Sequence, residues 1–282
     1  MSHLSIEAET KVDTEPCVVA WSNKLFVGGE NGAILSFDDN LKPGPSWEAH
    51  GVQLFALAAS NGKVYSTSND GGVKVWSSDG EKIAEFPASE ADIGSVTVCD
   101  KHVYTGDELG NVITYNNYMQ FAKYNVLEEV KDIAINPPFM FTARDLYVTV
   151  TEVKPEQSKE RFITQHVMEG RSPLRVFGSY LVVTGRGGNS IQLHEASLDT
   201  KFKKLHEVKV SDMILTSLSV SDNVAWTGGW DGYIRRWKIS ENKLQPAGEM
   251  NLGSCINALI APTGSGAYVV LTGGRIVKIK AT

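Results

Sequence analysis

The side chains best suited to metal binding or nucleophilic catalysis are scattered along this 282-residue chain. Its six histidines include no HExxH pair, and it has neither a Gly-x-Ser-x-Gly elbow nor a GxxxxGK[ST] phosphate loop. Cys17, Cys99 and Cys255 form no CxxC pair and lie in apolar segments, so we expect small buried side chains in a reducing compartment. The sequence therefore predicts no metal, no cofactor and no enzyme, although carboxylates from distant turns could still meet in space.

One glycine-rich stretch could bind an anion. Residues 184–190 read TGRGGNS, and successive backbone amides in such a loop can form a concave anion site with Arg186 as its cationic arm. The same glycines also suit a wide turn between two strands that needs positive φ angles. An anionic lipid or a phosphorylated ligand held by Arg171, Arg175 and Arg186 is therefore one alternative function.

The overall charge limits the classes of partner. The chain has 27 basic and 33 acidic residues, a formal net charge of −6, which argues against general nucleic-acid binding. It opens with MSHLSIEAET, which lacks the basic and apolar regions of a signal peptide, and no apolar run approaches the length of a membrane span. We expect an intracellular, soluble protein of the cytoplasm or the nucleus.

The elements that position these side chains repeat along the chain. Residues 228–237 read GGWDGYIRRW, a tight turn followed by a strand of alternating side chains. Related phrases occur seven times, with last residues at 37, 76, 115, 150, 194, 237 and 279. A period of about 40 residues is typical of a propeller blade with four short strands.

Each repeat unit predicts a central β-hairpin with one apolar strand before it and one polar strand after it. The fold class is therefore all-β: a single seven-bladed β-propeller over residues 1–282, with four-stranded antiparallel blades. The seventh unit supplies only three strands, so we expect residues 3–9 to pair with residues 276–280 and to close the ring in the last blade.

The second unit carries the residues of a known family. His50-Gly51, a serine at position 66 or 68, Asp70 and Trp76 resemble the structural His/Ser/Asp/Trp set of WD40-repeat β-propellers. The sixth unit keeps Asp231 and Trp237 without a matching histidine. The resemblance implies a structural, hydrogen-bonded role for His50, Asp70, Trp76, Asp231 and Trp237.

The resemblance also implies a partner-binding face, formed by the turns between second and third strands and by the links between blades. Trp230 is the expected apolar anchor, because tryptophan is enriched in interface hot spots, and Phe55 lies near the same edge. The charged residues assigned to this face form an acidic set and a basic set: Glu90, Asp92, Asp107 and Glu108, then Arg144, Arg171 and Arg186.

We therefore expect a non-catalytic scaffold or adaptor, a monomeric propeller within a larger complex of protein partners. The arginines would recognise an acidic or phosphorylated segment, which the acidic set would repel. The two alternatives are a propeller that binds anionic lipid or a phosphorylated ligand, and an enzyme with its site at the channel mouth.

Overall fold

The computed structural model describes residues 3–282 and consists of 28 strands in seven four-stranded antiparallel sheets. The described residues contain no helix long and apolar enough to cross a membrane. Every sheet except the last is built from four consecutive strands, so each is a simple up-and-down blade. We number the blades one to seven in the order of their first strands after β1.

The first seventeen strands are β1, which belongs to the last blade, and the sixteen strands of blades one to four. They are β1 (Leu4–Lys11), β2 (Pro16–Trp21), β3 (Leu25–Gly29), β4 (Ala33–Phe37), β5 (Pro43–Glu48), β6 (Ala56–Ser60), β7 (Lys63–Thr67), β8 (Lys74–Ser77), β9 (Lys82–Glu85), β10 (Ile93–Cys99), β11 (His102–Asp107), β12 (Asn111–Asn116), β13 (Met119–Asn125), β14 (Asp132–Asn136), β15 (Phe139–Ala143), β16 (Tyr147–Val153) and β17 (Phe162–Glu169).

The remaining strands build blades five to seven. They are β18 (Arg171–Phe177), β19 (Tyr180–Thr184), β20 (Ser190–Glu195), β21 (Lys204–Lys209), β22 (Leu215–Ser221), β23 (Val224–Gly229), β24 (Tyr233–Ser240), β25 (Lys243–Asn251), β26 (Ile256–Thr263), β27 (Gly266–Leu271) and β28 (Arg275–Ala281). The third strand of every blade begins in one of the seven repeated phrases, which confirms the predicted architecture.

The chain divides into two compact units. The four-blade unit comprises residues 17–38 and 43–168 and contains blades one to four. Apolar side chains from successive blades interleave inside it, as in the cluster of Phe26, Leu54 and Trp76. Phe86 stacks on Tyr115 with 3.9 Å between ring centroids, which joins blades two and three. This burial of apolar area is the main force that holds neighbouring blades together.

The three-blade unit comprises residues 3–16, 39–42 and 169–282 and contains blades five to seven. Strand β1 pairs antiparallel with β28, from Leu4 opposite Ala281 to Lys11 opposite Arg275. Leu4 is buried in the same apolar cluster as Trp226. The predicted pairing of the two ends of the chain is therefore confirmed, and β1 removes the open edge of the last blade.

The turn that follows the second strand of blade six needs backbone freedom. In blade six, Gly232 has a φ of 74°, and a Cβ at this position would lie 2.9 Å from the carbonyl oxygen of Ser254. Glycine is thus required here by both conformation and space. The turn places Trp230 at the edge of the blade, immediately before Asp231.

Candidate protein-binding surfaces and the networks beneath them

Blade two contains a continuous hydrogen-bonded chain of side chains. His50 is buried, with its Nδ1 2.5 Å from Asp70 Oδ1 and its Nε2 2.8 Å from Ser66 Oγ. The indole Nε1 of Trp76 donates to the same Ser66 Oγ at 2.9 Å. Ser66, rather than Ser68, is therefore the serine of the predicted set. These hydrogen bonds connect the segment before β6, which contains His50, to strand β7, to strand β8 and to the turn between those two strands.

The protonation states of these four hydrogen-bonded side chains follow from their geometry. Ser66 Oγ accepts from Trp76, so its own hydrogen is free for Nε2 of a neutral His50, whose Nδ1–H then donates to Asp70. Burial lowers the pKa of His50, although Asp70 opposes this shift. Burial alone would raise the pKa of Asp70, but hydrogen bonds from the Gly51 amide and from His50 bring it below its usual value.

Blade six has the same framework with a different first residue. Ser211 stands 20 residues before Asp231, as His50 stands before Asp70, and its hydroxyl donates to Asp231 Oδ2 at 2.8 Å. Arg235 Nη1 donates to the same oxygen at 2.7 Å. Separately, Trp237 Nε1 donates to Thr227 Oγ1 at 3.0 Å. The aspartate and the tryptophan are thus held by two separate sets of contacts.

Blade three also has a hydrogen-bonded aspartate, Asp107, before its third strand. Its burial corrects the expectation that Asp107 belongs to the exposed acidic set. Asp107 is only 2% exposed, and its carboxylate accepts bonds from the hydroxyl of Ser89, from the amides of Leu109 and Asn111 and from the Asn111 side chain. It is therefore a buried structural acid rather than an exposed acid of a binding face. Sequence reasoning missed this role because Asp107 stands two residues earlier in the turn than Asp70 does.

Trp230 is the most exposed aromatic side chain that the structure describes in the three-blade unit, at 58%. Its amide donates to Ile214 O at 3.0 Å, and its carbonyl accepts a bond from Cys255 Sγ at 3.3 Å. Met213, adjacent to Ile214, is 52% exposed. The backbone of Trp230 is therefore hydrogen-bonded through both its amide and its carbonyl, while its indole ring is exposed to solvent. Met213, next to the residue that accepts the Trp230 amide, is a second exposed apolar side chain.

A cavity of about 510 Å³ lies next to this turn. Ser211, Met213, Asp231 and Arg235 are among the residues that line it. Arg235 is held by Asp231 and by Glu249 Oε2 at 3.1 Å. The lining of the cavity thus combines the paired charges of Asp231 and Arg235 with the apolar side chain of Met213.

The three arginines of the predicted basic set have different surroundings. Arg144 pairs with Glu128 and lies in the four-blade unit, whereas Arg171 and Arg186 belong to the three-blade unit. Arg186 Nη1 contacts Glu169 Oε1 at 3.0 Å. Arg171 makes no ion pair within residues 3–282. Their common action on one ligand stays a prediction, and two of the three guanidinium groups already have an acidic partner.

The remaining predicted surface residues belong to the four-blade unit. The side chain of Phe55 is 36% exposed, and its amide donates to Thr67 O at 2.9 Å. Glu90 and Asp92 occupy the link between β9 and β10, and the amide of Glu108 donates to Asp92 O at 3.1 Å. The structure therefore brings Glu90, Asp92 and Glu108 together on two adjacent connections.

Sequence reasoning missed several exposed apolar residues and misjudged the cysteines. Met213, Leu109 and Leu127 are exposed, and their position in turn segments rather than in strands was the available signal. All three thiols are free, but Cys255 is exposed and the other two cysteines are half-buried, so the expectation of burial is wrong. Within residues 3–282 no group of three or more histidine, cysteine and acidic side chains has the geometry of a metal site.

Comparison with known proteins defines the fold. No family model and no curated protein matches the chain. Among solved structures, the crystal structure of the computationally designed Ika8 protein is similar, with a TM-score of 0.76 and 16% identity over 98% of this chain and 99% of that one. A likeness at this identity concerns the fold alone. Together with the seven four-stranded sheets, it shows that the chain is a seven-bladed β-propeller.

Proposed function

We propose that this propeller is a non-catalytic protein-interaction scaffold of the WD40-repeat type, acting as a subunit of a larger complex in the cytoplasm or nucleus. The family assignment is supported by blade two, where His50, Ser66, Asp70 and Trp76 form one hydrogen-bonded chain. Free thiols at all three cysteines are compatible with a reducing compartment.

The observation that carries the scaffold proposal is the fixed, exposed indole of Trp230. Most large apolar side chains of the three-blade unit are buried, yet this ring is 58% exposed on a turn whose backbone is bonded on both sides. A rigid aromatic group loses little conformational entropy on binding, and such groups dominate the free energy of many interfaces. Met213 extends the apolar contact area beside it.

Polar groups near Trp230 would orient the partner. Arg171, which has no ion pair within the described chain, and Arg186, which shares Glu169, are the groups proposed to contact an acidic or phosphorylated segment. Guanidinium groups suit this role because they engage two oxygens of a carboxylate or phosphate at once. No reacting group or cofactor is required for this function.

The test is quantitative recovery of partners by tagged protein in cells. Trp230→Ala should remove the partners that wild-type protein retains, because truncation of an aromatic hot spot costs about 2 kcal/mol or more. Met119→Ala is the matched control, since Met119 is also exposed but lies at the start of β13, in the four-blade unit. Both variants must keep the thermal midpoint of the wild type.

Equal recovery of the same partners by wild type and by Trp230→Ala would contradict the proposal. Loss of the same partners from Met119→Ala would show that the effect is not specific to the Trp230 surface. A double Arg171→Glu and Arg186→Glu variant should slow association and weaken its dependence on salt, which separates the charged contact from the apolar one.

A further inference from the structure

A second surface stands out in the four-blade unit, around blade three. Three connections lie side by side there: residues 86–92, residues 107–110 and residues 125–129. The first two are joined by the bond from the Glu108 amide to Asp92 O and by the bond from Ser89 to Asp107. The last two are joined by the bond from the Val126 amide to Gly110 O at 2.8 Å. We call these three connections the blade-three rim.

Two leucines of the blade-three rim face solvent. Leu109 is 52% exposed and Leu127 is 85% exposed. Leu127 has a φ of 71°, and its amide donates to the Asn125 side chain at 2.9 Å, while the same side chain donates to Leu109 O at 3.2 Å. The two apolar side chains therefore stand on a backbone that is held in place, which limits the entropy lost when a partner covers them.

Uncompensated negative charge surrounds these leucines. Glu90, Asp92 and Glu108 make no ion pair with any residue that the structure describes, whereas Glu128 and Glu129 are paired with arginine and lysine. The buried carboxylate of Asp107 lies behind them and is satisfied by N–H and O–H donors alone. The surface thus has a negative potential that no cation within the rim cancels.

A cavity of about 420 Å³ opens at the blade-three rim. Pro87, Leu109 and Ile113 give it an apolar wall, and Asn111 and Gln120 contribute amide groups. Glu90 lines it at one side, and the single cation of its lining is Lys123. Such a site can cover the aliphatic part of a long side chain while amide oxygens and a carboxylate receive its charged end.

We infer that the blade-three rim binds a basic, leucine-containing segment of a protein partner, with an arginine or lysine side chain entering the cavity. This inference rests on the proposed scaffold function but uses residues of the four-blade unit and not Trp230. The two exposed leucines offer an apolar contact, and the three carboxylates without an ion pair attract a cation. The same carboxylates would repel phosphorylated segments, nucleic acid and anionic membranes.

The test is fluorescence anisotropy with the full chain and a labelled twelve-residue peptide of arginine, leucine and alanine. The triple variant Glu90→Gln, Asp92→Asn and Glu108→Gln should weaken binding by about tenfold or more, and added salt should weaken the wild-type complex. The matched control is Glu81→Gln, Glu156→Gln and Glu160→Gln, which removes the same charge from other exposed positions and should change affinity less than about twofold.

The apolar part of the site is tested by Leu127→Asn. Asparagine tolerates the positive φ of this position, so the change removes the apolar surface without straining the backbone. It should weaken binding several-fold, and Met119→Asn should not. The inference would be overturned if the control triple variant matched the rim variant, or if a probe with glutamate in place of arginine bound equally well.

This experiment separates the inference from the proposed function. Trp230→Ala should leave the affinity of the basic probe unchanged while it removes partners in the recovery assay. If the rim variants left the affinity for the basic peptide unchanged while Trp230→Ala lost its partners in the recovery assay, the blade-three inference would be overturned and the scaffold proposal would stand. The opposite pattern would overturn the role of Trp230 alone.

Discussion

Blades two and six share a framework and differ most at its first residue. In each, an aspartate in the turn precedes a tryptophan by six residues, and a hydroxyl on the second strand accepts a bond from the indole. The residue that stands 20 positions before the aspartate is His50 in blade two and Ser211 in blade six. Only the histidine bonds both the aspartate and the second-strand hydroxyl, so blade two contains one hydrogen-bonded network and blade six contains two separate sets of contacts.

The reason is the size and functionality of the side chain. Imidazole has two ring nitrogens on opposite sides, so His50 can bridge Asp70 and Ser66 at once. The shorter serine side chain does not reach the second strand: Ser211 donates to Asp231 and accepts from the Met213 amide, which leaves Thr227 to bond the indole alone. In blade six Arg235 becomes the second partner of the aspartate, and Ser211 and Arg235 line a cavity beside Trp230. The less complete network thus lies under the proposed binding surface.

The largest expected effect is on stability in blade two. His50→Ala should lower the free energy of unfolding by about 1–3 kcal/mol, because it removes the buried imidazole that bonds both Asp70 and Ser66. Ser211→Ala should cost less than about 1 kcal/mol, since Asp231 keeps Arg235. Chemical denaturation of both variants measures the difference. Equal losses would contradict the comparison.

Blade two should contribute to the pH dependence of stability. Because burial lowers the pKa of His50, the unfolded chain takes up a proton near pH 6.5 that the folded chain resists. Stability should therefore fall as the pH drops from 7 to 5, by at most about 1.4 kcal/mol per pH unit for this group. The pKa of Asp70 is also lowered, but its contribution is lost only at more acidic pH.

His102, whose pKa is likewise lowered by burial, contributes to the same pH range in the wild type. The measurement is therefore the difference in slope between wild type and His50→Ala in denaturation experiments at several pH values. Ser211→Ala should keep the wild-type slope, since it removes no titrating group. An unchanged slope in His50→Ala would show that His50 does not resist protonation in the folded state.

The smallest effect is the coupling between paired substitutions. In a double-mutant cycle, His50→Ala and Ser66→Ala should be non-additive by about 0.5–1 kcal/mol, because the two side chains bond each other. Ser211→Ala and Thr227→Val should be additive within about 0.5 kcal/mol, since neither bonds the other. Coupling of similar size in both blades would show that blade six also contains one network.

The repeat pattern was sufficient to predict the strands, because a hairpin depends on local alternation and turn residues. All seven third strands and the pairing of β1 with β28 followed from phrase spacing and from one missing strand. The choice between Ser66 and Ser68 needed the tertiary structure, since the two serines are two positions apart in YSTS and alternation alone places both on the same face. The sequence could not assign the partner of each arginine either, because Glu128 and Glu169 lie on other connections.

The sequence by itself determined the all-β class, the seven repeats and the turn residues that start each third strand. These depend on interactions between residues near one another in the chain. Only the tertiary structure decided that Asp107 is buried, that Trp230 and Met213 stand together, and that Leu109 and Leu127 share a rim with three unpaired carboxylates. Each of these depends on which connections pack side by side, and no pattern within one connection specifies its neighbour.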